Sequence, residues 1–377
     1  MHPRLTFDIS WRRLLWAAFG GKADAASDFA SPPNRLAAAL SVRTLFDALL
    51  AETALEAGAP VVMSGINIDN MREIVRLNGL EPCPVDIASG TLLPTAGDLL
   101  DIQAQTGSRL CLIAHLFGAH SPIGAVNELR ARGVMVVEDR AQAFSAAALN
   151  GPFDADVTLF SFGPIKRRTA LGGAVAIFRD PGLAARVRAR LETYPTLTDT
   201  WFRRRARKYL LLKALSHPAL YGLVFRLAGH DPDAMIGKLA RGFSGDDLLR
   251  NIRHQPPPRL LALLARQAGS NDDVANRRRI CEAFLDALPG GLRIGIMAQS
   301  HVHWLMPLAV PDPEAFIRIL RRRGFDATRG ATSLRAFTGA DAPSGALMDH
   351  IVYLPHPADM NARARTRMRG AVLEALA

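Results

Sequence analysis

The sequence predicts an α/β protein: a mostly parallel sheet with helices on both faces, joined to a smaller C-terminal α+β domain. Three observations predict it. Short apolar runs at residues 60–63, 109–114, 134–137 and 157–160 read as buried strands, and stretches of helical period lie between them. The links are short, and strand–helix–strand order with short links gives parallel pairing with both faces covered. A second strand–helix–strand–helix set follows Pro256-Pro257-Pro258, and 377 residues exceed what one compact core holds.

The elements follow in order. Residues 1–33 form a leader ending in Ser31-Pro32-Pro33, with 11–19 as a short amphipathic helix. A helical period through Leu36, Leu40, Leu45, Leu49 and Leu50 predicts one helix over 34–57, stopped by Gly58-Ala59-Pro60. A helix over 67–77 follows the first strand, then an extended segment over 80–87, a helix over 97–106, and one over 125–132 capped by Gly133. Gly172-Gly173 turns into a strand over 174–178, and Asp180-Pro181 opens a helix to about 194. Residues 195–255 are basic and apolar. Residues 260–288 show one long helical pattern broken near Gly269, 300–308 a strand, 312–324 a helix, 350–355 a strand and 361–377 a final helix. The expected units are thus 1–33, a large domain over 34–194, an insertion over 195–255 and a small domain over 256–377.

Composition excludes several classes. The net charge of +11 comes mostly from Arg, in clusters such as Arg203-Arg204-Arg205 and Arg277-Arg278-Arg279. These carry no interleaved aromatic pattern, so nucleic acid is not an expected partner. No strand leads into a GxGxxG turn and there is no P-loop, which argues against a dinucleotide dehydrogenase or a nucleotide triphosphatase. Cys83, Cys111 and Cys281 form no CxxC and read as free thiols of a cytoplasmic protein. His301-Val302-His303 lacks a nearby acidic third ligand, so no metal is expected. The segment over 195–255 has two readings, a helical insertion packed on the core or a partner subunit, and a peripheral contact with a membrane surface.

The residues that carry chemistry lie at predicted strand ends, where ligands bind in open α/β sheets. Glu138-Asp139 ends one strand; Ser161 and, after a Gly-Pro turn, Lys166 end another. A desolvated lysine amine is a nucleophile toward an aldehyde, and Arg167 and Arg168 would help to keep it neutral. A half-buried Asp139 needs a cationic partner, such as a protonated pyridine nitrogen. Ser161 and the first turn after Ser41, with Arg43, suit a phosphate. Together these requirements describe pyridoxal phosphate.

These residues resemble the DegT/DnrJ/EryC1/StrS sugar aminotransferases, fold-type-I enzymes dependent on pyridoxal phosphate. The likeness rests on His115-Leu116-Phe117-Gly118, on Val137 through Ala143, and on Phe160 through Lys166. It implies that Lys166 holds the cofactor and shuttles the proton, that Asp139 pairs with the ring nitrogen, and that Ala141 lies against the ring. Gln142 would reach the phenolic oxygen, and Ser161 with Val42 and Arg43 would bind the phosphate. It further implies amino transfer, typically from glutamate, onto a nucleotide-linked keto sugar, in polysaccharide or secondary-metabolite biosynthesis, by a cytoplasmic homodimer. The chain departs from the family at Val42-Arg43, where Gly-Thr is usual, at Arg140, and at Arg167-Arg168, where Asn-Leu is common. The loop over 64–68 also lacks the usual stacking aromatic. Arg140, Arg167 and Arg168 are therefore expected beside the reaction centre, where they would set substrate choice. They also motivate an alternative, a scaffold with reduced turnover that binds the cofactor or a membrane surface, peripheral at the inner membrane. Relatives with His in place of the Lys are dehydratases; Lys166 argues against that chemistry.

Overall fold

The computed structural model of the chain describes residues 1–4, 6–21, 34–227, 247–269 and 273–377. The end of the expected leader, the 228–246 part of the expected insertion and the break at 270–272 lie outside these residues. Thirteen strands follow one another among the described residues. They are β1 (Leu36–Ala39), β2 (Pro60–Ser64), β3 (Ile66–Ile68), β4 (Glu81–Val85), β5 (Leu110–Ala114), β6 (Ala119–His120) and β7 (Met135–Asp139). Then come β8 (Val157–Ser161), β9 (Ala174–Phe178), β10 (Ser300–His301), β11 (Met306–Ala309), β12 (Leu334–Ala336) and β13 (Ile351–Leu354).

Seven of them form one sheet in the order β1-β9-β8-β7-β5-β2-β4. The five strands from β4 to β8 in that order are parallel, as their continuous apolar character predicts. β9 runs antiparallel to β8, and β1 antiparallel to β9. One sheet edge therefore collects the ends of β7, β8 and β1 together with the start of β9, which brings Asp139, Ser161, Leu40-Ser41 and Gly172-Gly173 side by side. Helices Val42–Glu52, Asp69–Leu77 and Pro181–Glu192 cover one face. Ala96–Thr106 and Val126–Ala131 cover the other.

The single helix expected over 34–57 is a strand followed by a helix. Leu36-Ala37-Ala38-Ala39 has helical propensity, yet its residues alternate between half-buried and buried and pair residue for residue with β9. Tertiary pairing overrides a propensity of a few tenths of a kcal/mol per residue. The helix starts at Val42 because the extended Ser41 accepts the N–H of Thr44 on its hydroxyl, at 3.2 Å. The strand expected over 300–308 is likewise two strands. Its first two residues pair with β6, the chain bends through His303 at a positive φ of 46°, and β11 pairs with β13.

β11 and β13, with helices Val274–Asp286, Pro313–Arg322 and Ala362–Leu376, form a second core. The β10–β6 and β12–β3 pairs join the C-terminal segment to the short strands that follow β5 and β2. A third core holds helix Trp11–Phe19 against Asp199–Leu215 and Pro258–Ala268. The N-terminal residues are held at both ends. Arg4 makes a bidentate ion pair with the buried Asp326, at 2.6 and 2.7 Å, and Leu14, Ala17 and Ala18 are fully buried. Among the described residues, no helix is long and apolar enough to cross a membrane.

Candidate active site

A cavity of about 200 Å³ opens at the collected sheet edge. All seven residues singled out from the sequence line it: Val42, Arg43, Asp139, Ala141, Gln142, Ser161 and Lys166.

Lys166 lies in the loop after β8. Its backbone N–H donates to the Gly163 carbonyl at 3.0 Å, while the Phe162 carbonyl accepts the Ala170 and Gly172 N–H groups and closes the loop. Its Nζ lies 4.0 Å from the centroid of the Trp304 ring. Burial lowers the amine pKa to about 8; Asp139 pulls the other way, and Arg43 lowers it further. The helping cation is thus Arg43, not the adjacent arginines expected from sequence. The Arg168 N–H donates to Asp8 and its Nε to the Gln267 carbonyl, while Arg167 donates to the Val302 carbonyl at 3.5 Å.

Asp139 is 8% exposed, and its Oδ1 accepts the Ala141 N–H at 2.8 Å. Burial raises its pKa, against the opposing pull of that N–H and of Lys166. Gln142 accepts the Phe117 N–H on its Oε1 at 2.7 Å, so its amide NH₂ is the group it can offer the cavity. Ser161 Oγ accepts the Gly163 N–H at 3.4 Å. Opposite it stands the N-terminus of Val42–Glu52, whose first-turn N–H groups and dipole favour an anion. The Arg43 guanidinium donates to Asn70 Oδ1 at 2.9 Å. Its pKa falls to about 10 through burial and, next, the nearby Arg205.

Sequence reasoning missed the residues that distant segments deliver. β3–β12 pairing brings Asn67, Thr332, Ser333 and Leu334 to the cavity. Trp304 arrives through the loop at 115–118. The Val302 N–H donates to the Gly118 carbonyl at 2.8 Å, and the Trp304 N–H to the Phe117 carbonyl at 3.1 Å. Gly118 has φ +103°, and a Cβ there would meet the Trp304 nitrogen at 2.6 Å. A glycine is therefore required for this approach. The Trp304 indole N–H then donates to the Ile165 carbonyl at 2.7 Å, fixing the ring over Lys166. The only local hint was a tryptophan in an apolar run. The loop over 64–68 does lack an aromatic, as read; Asn67 and Ile68 stand there.

Arg140 corrects another expectation. It does not line the cavity but turns to the opposite side of β7, with its Nε 2.8 Å from Glu138 Oε1. The same oxygen lies 2.7 Å from His115 Nε2 and 3.5 Å from His120 Nε2, and Oε2 accepts the Thr158 hydroxyl at 3.2 Å. Burial alone would raise the Glu138 pKa, but the two histidines and Arg140 together lower it well below the usual carboxylate range. Burial pushes His115 toward its neutral form, against Glu138. His115, His120 and Glu138 also bring three potential metal-ligating atoms within 4.8 Å, a grouping the sequence did not suggest. With Arg140 on the same oxygen, the carboxylate already has a cation.

The fold resembles several solved structures. It is similar to the sugar aminotransferase CalS13 from Micromonospora echinospora, with TM-score 0.64 and 18% identity over 99% of this chain and 100% of that one. It is also similar to AtS13 from Actinomadura melliaura, with TM-score 0.68 and 16% identity over 99% and 98%. The GDP-4-keto-6-deoxymannose-3-dehydratase ColD gives TM-score 0.65 and 12% identity over 97% and 94%. No curated protein matches the chain in sequence. The chain shares the overall architecture of these solved structures. Residues 31–205 match the model of the DegT/DnrJ/EryC1/StrS aminotransferase family, and this segment carries β1 to β9 and every cavity residue predicted from sequence.

Proposed function

We propose that the protein binds pyridoxal phosphate at the sheet edge and transfers an amino group, with glutamate as donor, onto a nucleotide-linked keto sugar. The observation that carries this reading is the convergence in one cavity of a lysine amine with a pKa near 8, a buried carboxylate and a helix N-terminus. When bound, the cofactor supplies an aldehyde for covalent attachment and a protonated ring that withdraws electrons.

The chain's residues fit that group. Asp139 keeps a carboxylate in low dielectric with one oxygen bonded to Ala141, so a cation at the cavity floor is its natural partner. Ala141 leaves room for a ring, and the Gln142 amide offers a donor beside it. Ser161, the N-terminus at Val42 and the Arg43 side chain supply the hydroxyl, backbone and charge for a phosphate. Lys166 is set to move a proton at Nζ, because at pH 7 a pKa near 8 leaves about one amine in ten unprotonated. A lysine, not a histidine, at this position favours amino transfer over the dehydration named for ColD. The reading includes a cytoplasmic homodimer serving polysaccharide or secondary-metabolite synthesis.

The test uses purified protein. Added pyridoxal phosphate should give visible absorbance that changes with glutamate, and Lys166→Ala should abolish both. A colourless wild-type protein at saturating cofactor would end the proposal. A screen of nucleotide keto sugars with glutamate then identifies the acceptor.

A second reading, peripheral membrane contact with or without turnover, is favoured by one surface. Trp11, Leu15 and Phe19 are 48%, 46% and 58% exposed along one helix. Arg207 lies over the Phe19 ring and Lys213 over Trp11. Exposed aromatics beside cations suit an anionic lipid surface. Flotation with phosphatidylserine vesicles, lost at high salt, is the expected result; identical flotation with neutral vesicles would argue against it.

A further inference from the structure

A second cavity, of about 480 Å³, lies behind Lys166. It shares Ile165, Lys166 and Trp304 with the first, so these residues form the wall between the two. Its other walls come from Arg4, residues 6–10, helix Asp199–Leu215 and the C-terminal core. Cations dominate its interior. Arg167, 6% exposed, Lys213 and Arg277 face it alongside the Lys166 amine, against Asp8 and Asp359. The three cations Arg167, Lys213 and Arg277 outnumber these two carboxylates. Asp8 accepts the Arg168 N–H at 3.0 Å, and Asp359 accepts the Thr6 hydroxyl at 2.6 Å while lying 3.7 Å from Arg277.

The arginines also disturb each other. Burial lowers the Arg277 pKa, Asp359 opposes, and Arg167 lowers it further. The neighbouring His356 is kept neutral by burial and then by Arg277, with Arg167 adding to it. Arg167 and Arg277 are anchored on neighbouring carbonyls, those of Val302 and His303, and two such guanidiniums are stabilised by an anion they share; their planar forks suit carboxylate or phosphoryl oxygens.

We infer that this cavity binds an oxyanion-bearing ligand, its carboxylate or phosphoryl group contacting Arg167 and Arg277 and its remainder directed to the Lys166 amine. The substrate role rests on the proposed transfer reaction; the oxyanion site does not. Within that reaction the anion comes either from the carboxylates of the amino donor or from the phosphoryl groups of the acceptor.

The experiment is calorimetric titration of the full chain, with and without pyridoxal phosphate, by 2-oxoglutarate and separately by pyrophosphate at fixed ionic strength. Wild type, Arg167→Gln, Arg277→Gln and the distant surface control Arg323→Gln are compared. At least one probe should bind wild type, weaken about tenfold or more in both cavity variants, and be unchanged in the control. Binding of 2-oxoglutarate alone assigns the site to carboxylates, and of pyrophosphate alone to phosphoryl groups. If a glutamine variant does not fold, Arg167→Lys keeps the charge, loses the fork, and should weaken binding by a smaller factor. No binding by either probe, or binding unaltered in the cavity variants, overturns the inference. Visible absorbance in the same samples separates the two claims. Colour without anion binding refutes the oxyanion site alone, and anion binding without colour refutes the cofactor reading alone.

Discussion

Glu138 and Asp139 are adjacent buried carboxylates at the end of one strand, and they differ in the partners that surround them. Glu138 turns to the side of His115, His120, Arg140 and Thr158, which compensate its charge. Asp139 turns to the cavity, with one N–H from Ala141 and a lysine amine nearby. The first has its pKa lowered and the second raised. A carboxylate surrounded by permanent partners stabilises a fold, whereas one kept short of partners is available to a ligand. The loop at 115–118 joins the two sides, because His115 meets Glu138 and the Phe117 N–H holds Gln142.

The largest test of this difference is Glu138→Gln. It leaves the buried Arg140 guanidinium without its anion, and the expected loss is about 3–5 kcal/mol in a urea denaturation experiment. The folded fraction should still bind cofactor. Equal stability with loss of colour would reverse the roles assigned to the pair. Asp139→Asn should do the opposite. Since burial already disfavours its charge, stability should change little, while pyridoxal phosphate affinity in equilibrium dialysis falls by about tenfold or more.

The smallest effect concerns pH. In the cofactor-free fold the Lys166 pKa is about 8 against an ordinary 10.5. Below pH 8 both the folded and unfolded chains are protonated, and the cost of a desolvated ammonium is complete. Between 8 and 10.5 only the unfolded chain binds that proton, so stability from this group rises with pH. Lys166→Met should therefore melt higher than wild type at pH 7, and the gap should close by pH 10.5. A gap independent of pH would mean that Lys166 is solvated.

The candidate site was unusually legible. Lys166, Asp139, Gln142 and Ser161 sit within 28 consecutive residues, and buried strands carry such residues to one edge whatever the rest of the chain does. Trp304 was not legible, because it reaches Lys166 only through hydrogen bonds to a loop almost two hundred residues earlier. Nor was the direction of Arg140. A run of charged residues does not show which side of a strand each one takes until the strand's ends are known.

Local information thus determined a good deal: the parallel sheet and the edge where the cavity opens, through hydrophobic period and strand-end position, and the seven residues that line it, through these together with the family resemblance. Tertiary structure alone decided that Leu36–Ala39 pairs as a strand, that Glu138 and Asp139 divide between two environments, and that a second, cation-lined cavity backs onto Lys166. The physical reason is the same in each case. Period and propensity act over a few residues, whereas pairing, desolvation and charge compensation depend on groups that only the folded chain brings within a few ångströms.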